Sequence, residues 1–153
     1  MLPHALLWFE RSSASWLVDD LSNIHPREKR PVADRLASLA LANVYKVFPT
    51  SGSPMVESIE WKGDKVVIHF RHVGKGLKSL DGNSLEYFEL AGADGAFAPA
   101  SAEITSPGSV VVYSPNVTRP SKLRFAWDET AQPNLGNADG WPCLLYTSPS
   151  PRD

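Results

Sequence analysis

The pattern of apolar and polar positions divides the chain near Pro49. Ahead of it, Val32, Leu36, Leu39, Ala40 and Asn43/Val44 recur at i, i+4, i+7, i+8 and i+11/12, one face of an amphipathic helix. Asp34 and Arg35 fall off that stripe. Pro31 suits the first helical position, where its missing N–H costs nothing, and the helix is predicted to end near Tyr45 or Lys46. Trp16–Val18 reads as the end of a buried parallel strand with Asp19-Asp20 at its exit.

Behind Pro49 the period changes from helical to alternating. Thr50-Ser51-Gly52-Ser53-Pro54 reads as a linker. Val56–Trp61 and Lys65–Phe70 flank Lys62-Gly63-Asp64, a hairpin signal, and Val66, Ile68 and Phe70 make the more apolar face of the second run. Asp81-Gly82-Asn83 reads as another turn. Tyr87–Ala91, Ser101–Thr105, Ser109–Tyr113 and Lys122–Trp127 complete a series of short strands punctuated by Gly and Pro. Such a series predicts an all-β, sandwich-like region. No internal repeat is visible.

Composition narrows the picture further. A chain of 153 residues with 42% apolar residues can build one packed domain or parts of two. A formal net charge of −2 carries no nucleic-acid signature. No apolar run reaches the roughly 20 residues that cross a bilayer. The stretch Leu2–Phe9 lacks the basic leader of a signal peptide.

The run Cys143–Asp153 resembles the translation of one reading frame of a transposase sequencing adapter. It is read as a non-native tail and predicted to be disordered, which leaves the natural sequence ending near Pro142 and the single cysteine outside it.

The chemistry concentrates in Asn23-Ile24-His25-Pro26-Arg27-Glu28-Lys29, directly before the helical stripe. A histidine that follows an acidic loop and precedes proline and a helix has the layout of a catalytic base. Imidazole titrates near neutral pH, and Pro26 confines the His25 backbone to extended conformations. A surface His-Pro ahead of a helix is the plainer alternative.

That run, with Val32-Ala33-Asp34-Arg35-Leu36-Ala37 behind it, resembles the C-terminal block of bacterial sialate O-acetylesterases, a family of SGNH hydrolases with an Asp-Ile-His-Pro motif leading into a final helix. Gly76-Leu77, Asp81-Gly82, Phe88–Gly95, Phe97–Ala100, Arg124–Trp127 and Asn134-Leu135 are similar, in order, to the β-rich region of these esterases. The likeness covers roughly Trp16 to Pro142.

The resemblance implies an α+β fragment. Residues 1–48 would be the last strand-loop-helix of an SGNH α/β/α core, with 1–15 unassigned. Residues 49–142 would be a β-sandwich-like region and 143–153 the adapter-derived tail. It implies hydrolysis of O-acetyl esters of sialic acid by a Ser-His mechanism, with no cofactor or metal, and with the serine and oxyanion hole upstream of this chain. His25 would be the general base.

The family usually has aspartate two residues before the histidine, but Asn23 stands here, and SGNH enzymes in general place aspartate at the position of Ser22. An amide can orient an imidazole but cannot stabilise imidazolium as a carboxylate does, so Asp20, or neighbouring Asp19, is a candidate substitute. The implied partner is an O-acetylated sugar, not nucleic acid or membrane, and the implied compartment of the parent is periplasmic or extracellular. An acetylxylan-type esterase fragment and a stand-alone β-sandwich module that binds carbohydrate or a partner are the alternatives.

Other residues carry weaker signals. His69 and His72 at i, i+3 do not share a sheet face, which argues against a metal pair. Trp61 and Trp127 read first as packing residues and second as platforms for a sugar ring. Asn116-Val117-Thr118 is a glycosylation sequon, Gly74-Lys75-Gly76 a turn, and His4 has no evident partner.

Overall fold

The computed structural model describes residues 30–45, 52–128, 131–143 and 146–147. Among the described residues one helix, α1 (Arg30–Asn43), precedes nine strands: β1 (Met55–Lys62), β2 (Lys65–Arg71), β3 (Leu77–Ser79), β4 (Leu85–Ala91), β5 (Phe97–Ser106), β6 (Ser109–Tyr113), β7 (Lys122–Phe125), β8 (Leu135–Asn137) and β9 (Tyr146–Thr147).

Seven strands form one antiparallel sheet in the order β1-β2-β6-β5-β4-β7-β9, and β3 and β8 form a separate two-stranded ribbon. The sheet curls around one apolar face. Val66, Ile68, Val110, Val112, Leu90 and Leu123 on that face are fully buried. Phe88 and Phe125 meet across the β4–β7 pairing with ring centroids 4.5 Å apart. Each such side chain contributes about 1.5–3 kcal/mol of burial, so this face drives the collapse.

The alternation predicted for β2 holds: Val66, Ile68 and Phe70 are buried, while Lys65 and Arg71 at its ends are exposed. The β1–β2 hairpin closes at Lys62↔Lys65 around Gly63, whose φ of 63° suits a tight two-residue connection.

The structure corrects the α+β expectation. The folded body is a curled antiparallel sheet rather than the end of an α/β/α core with a sandwich attached. The second sheet of a sandwich is reduced to the β3–β8 ribbon, so the main sheet bends over its own core. Helix α1 lies where its stripe predicts it, but it does not form a layer of the fold. Leu36 of that stripe is 47% exposed and Val44 is also exposed. A helix stripe announces a surface to bury, not that the partner sheet accompanies it. The strand predicted at Trp16–Val18 lies outside the described residues.

Two further expectations change. The second half of the predicted linker is packed: Ser53 and Pro54 are buried, and the Gly52 carbonyl accepts a hydrogen bond from Asn137. Cys143, assigned to a disordered tail, is buried in the core. Its N–H donates to the Leu135 carbonyl and its thiol to the Pro54 carbonyl, and Tyr146–Thr147 pair with β7. A small apolar side chain following β8 fills core space whatever its origin, and an open β7 edge accepts any extended segment within reach.

Asn137 ties this end together. Buried in the last position of β8, it donates to the carbonyls of Gly52 and His72 and accepts from the N–H groups of Asp139 and Trp141. Gly136 beside it has no room for a side chain. A Cβ there would stand 2.6 Å from the Trp141 carbonyl oxygen and 2.7 Å from a Leu80 methyl.

Asn137→Ala leaves buried donors and acceptors unmatched and is expected to cost about 3 kcal/mol in urea denaturation. Ending the chain after Pro142 removes Cys143 and β9, and is expected to lower the thermal midpoint by several degrees, as read by circular dichroism.

Candidate functional site

The residues proposed for catalysis from the sequence, His25 with Asp20 and Asn23, lie outside the described residues, as do Asp19 and Ser22. The described residues carry a different concentration of polar chemistry, on the outer face of the curled sheet. Strand pairing puts Glu89 opposite both Pro99 and Arg124, and Ser101 opposite Tyr113. Glu89, Arg124, Pro99, Ser101, Glu103 and Tyr113 therefore project from the side away from the core and line an open groove of about 800 Å³.

Charge pairing fixes the floor of the groove. Arg124 Nε donates to Glu89 Oε2 at 2.6 Å and Arg124 Nη2 to Glu89 Oε1 at 2.9 Å, a two-pronged pair between half-buried side chains. The same guanidinium stacks over the Phe97 ring, 4.1 Å from its centroid. The hydrogen bonds that Arg124 donates to Glu89 raise the Arg124 pKa further. The Tyr113 hydroxyl donates to Glu103 at 3.0 Å, and that hydrogen bond, with the carboxylate's charge, pushes the phenol pKa up. Lys65 stands over the Tyr113 ring at 5.7 Å.

One end of the groove is built by strained backbone. The β4–β5 register shifts between Leu85 and Phe88, so Glu86 and Tyr87 form a bulge. Tyr87 takes φ of 65° and Ala126 takes φ of 52°, both in the left-handed region, and Ala126 N–H donates to the Tyr87 carbonyl. This ends β7 at Phe125, two residues before the predicted end. Two aromatic side chains, Tyr87 at 40% and Trp127 at 54% exposure, stand on the groove here. Trp61, by contrast, packs against the core. Sequence alone could not separate the two tryptophans, because each closes a strand predicted from the sequence. The turn of the backbone at Ala126 separates them.

A hydrogen-bonded clamp holds the start of β4. Buried Asn134 accepts from the Glu86 N–H and donates to the Ser84 carbonyl and to Asp81 Oδ1. Asp81 also accepts from the Ser79 hydroxyl and from the backbone and side chain of Asn83. The Ser79 hydrogen bond, followed by those of the Asn83 N–H and Asn134, holds the Asp81 carboxyl well below the usual carboxylate range.

A second constellation on the outer face has the outline of a hydrolytic triad. His69 Nε2 lies 3.1 Å from Glu60 Oε1, and His69 Nδ1 lies 2.9 Å from Ser109 Oγ. An ionised Glu60 can only accept, which leaves Nδ1 to accept from the serine hydroxyl. Lys62 also pairs with Glu60 at 2.6 Å and is the main cause of its lowered pKa. Strand β6, which carries Ser109, is flanked by β2 and β5, so its backbone N–H groups serve the sheet and none is presented as an oxyanion hole. The arrangement is a cross-strand polar ladder. His72, just past β2 at φ of 59°, does not join it. Among the described residues no three His, Cys, Asp or Glu side chains group as a metal site.

No protein-family model matches the chain, and no curated protein matches it. Among solved structures, it is similar to a carbohydrate acetylesterase from Xanthomonas citri, with 33% identity and a TM-score of 0.78 over 83% of this chain. The chain spans 29% of that protein's length. The described fold is therefore one that occurs as part of a carbohydrate acetylesterase.

Asp81→Asn is expected to lower stability at neutral pH. Because the folded carboxyl lies below its ordinary value of 3.8, its contribution is fully present above that value and is lost as pH falls toward the folded pKa. The difference between wild type and variant in urea denaturation should thus shrink below pH 3.8. A difference independent of pH would remove the clamp's charge from the account.

Proposed function

We propose that the chain is the C-terminal part of a carbohydrate esterase of the SGNH type that hydrolyses O-acetyl esters of sialic acid. The observation that carries this reading is the likeness, at 33% identity over 83% of the chain, to part of a carbohydrate acetylesterase. The sialate substrate and the SGNH assignment rest on the resemblance of the Asn23–Lys29 run and the ordered downstream segments.

In this reading the nucleophilic serine and the oxyanion hole come from outside these 153 residues. His25 takes the serine hydroxyl proton as the serine oxygen bonds to the acetyl carbon. The bond from that carbon to the sugar oxygen then breaks, and His25 returns the proton to that oxygen. Water repeats the sequence to release acetate. Asn23 or Asp20 orients the imidazole. Asn23 holds the ring without neutralising imidazolium, so an orienting Asp20 would give the faster enzyme.

The 153-residue chain alone is expected to hydrolyse 4-nitrophenyl acetate no faster than its His25→Ala variant, since a base without its nucleophile activates nothing. Grafted into the Xanthomonas citri enzyme in place of the segment it resembles, it should support acetate release from an O-acetylated sugar, with O-acetylated sialic acid and acetylated xylan compared as substrates. His25→Ala should then cost about 10³-fold or more in kcat. Activity indifferent to His25→Ala would remove that residue from the reaction. Release from acetylated xylan but not from the sialate would move the substrate to a plant polysaccharide.

A further inference from the structure

The groove on the outer sheet face has a combination that ordinary sheet solvation does not require. Two large aromatic side chains, Tyr87 and Trp127, stand exposed at one end, and both depend on left-handed backbone at Tyr87 and Ala126. Non-glycine residues in that region are strained, and a structure retains such strain where the geometry serves a site. Along the floor, Arg124, Glu89, Glu103, Tyr113 and Ser101 offer hydrogen-bonding groups in fixed directions, because the Arg124–Glu89 and Tyr113–Glu103 pairs hold their side chains in place. Apolar faces at one end and pre-oriented polar groups along the floor match the two surfaces of a pyranose ring: a C–H face that stacks on an aromatic side chain and an edge of hydroxyls.

The charge of the groove selects among sugars. Among the described residues its lining carries four carboxylates, Glu86, Glu89, Glu103 and Asp128, against the guanidinium of Arg124, which Glu89 already engages, with the Lys65 ammonium over the Tyr113 ring beside it. An anionic sugar entering there meets like charge, whereas a neutral sugar is accepted by carboxylates that take hydrogen bonds from its hydroxyls.

We infer that this groove is a binding site for a neutral glycan, with Tyr87 and Trp127 as the stacking platforms and Arg124, Glu89 and Glu103 as hydroxyl partners. The choice of a glycan as the ligand class rests in part on the carbohydrate-esterase reading. The preference for uncharged sugar rests on the groove alone. Such a site would hold a neutral part of a glycan and would favour it over free sialic acid at this surface.

The test uses the 153-residue chain and follows its amide and indole N–H resonances during titration with xylotetraose, cellotetraose and N-acetylneuraminic acid. The Trp127 indole signal is assigned by its loss in Trp127→Phe. Saturable shifts at Trp127 and at the backbone of Tyr87 and Ser101 are expected with at least one of the neutral tetrasaccharides, and none with the acid. Trp127→Ala and Tyr87→Ala should each weaken that binding by about fivefold or more, while Lys75→Ala, in an exposed turn outside the groove, leaves it unchanged. The inference is overturned by no saturable shift with either tetrasaccharide up to about 10 mM, which would mark this as a face covered by the rest of the parent protein. It is equally overturned by binding of the acid as tight as that of the neutral sugars, or by shifts that survive both aromatic replacements. Hydrolysis by the grafted enzyme is scored separately, so failure of the groove and failure of the esterase reading are distinguishable.

Discussion

A sheet with one apolar face must cover that face, and among the described residues no second sheet of comparable size does so. The seven strands carry Val66, Ile68, Phe88, Leu90, Val110, Val112, Leu123 and Phe125 on the same side. With only the short β3–β8 ribbon opposite, the sheet curls until its own strands and the flanking loops close the gap. Much else follows from that closure. Ser53, Pro54 and Cys143 are drawn into the interior because the curl leaves space between the ribbon and the main sheet, and small side chains fill it.

Closure by loops also brings backbone polar groups out of water, and two asparagines answer that demand. Asn134 directly precedes β8 and Asn137 ends it, and each uses both ends of its amide. An amide suits the task because it can donate and accept at once, whereas a carboxylate could only accept. Asn134 extends its reach to Asp81 and to the start of β4, so the core's closure also sets the position of the bulge at Glu86-Tyr87. The inner face thereby positions the outer one: the groove end that carries Tyr87 and Trp127 is held from beneath by the ribbon.

The outer face shows how similar constellations differ in what they can do. Glu60, His69 and Ser109 have triad-like distances, but His69 and Ser109 stand on interior strands of the sheet, where backbone donors are committed to neighbours. Nucleophile and base in contact are only part of an acyl-transfer site, since the developing oxyanion also needs donors aimed at it. The groove over β4, β5 and β7 lacks such a set too, but binding requires only shape, stacking and hydroxyl partners. The two faces of the described body are thus assigned to stability and to recognition, while the proposed acyl-transfer chemistry belongs to the His25 segment and to residues beyond this chain.

Much of the strand series was legible in the chain. Alternation in Lys65–Arg71, the Gly63 turn and the apolar runs at Ser109–Tyr113 and Lys122–Phe125 are local signals, because side-chain direction in a strand follows from position alone. The helix at Arg30–Asn43 was equally legible from its stripe and from Pro31. Three-residue strands such as Leu77–Ser79 and Leu135–Asn137 were not, since so few residues carry no period. Nor was the groove: Glu89, Pro99, Tyr113 and Arg124 are scattered over 36 positions and meet only through antiparallel register, and Trp127 is exposed only because Ala126 turns the backbone out of β7. Local sequence determines which residues face together along one strand. Which strands lie side by side, whether a second sheet covers them, and so which polar residues share a surface, is decided by long-range pairing that no single segment contains.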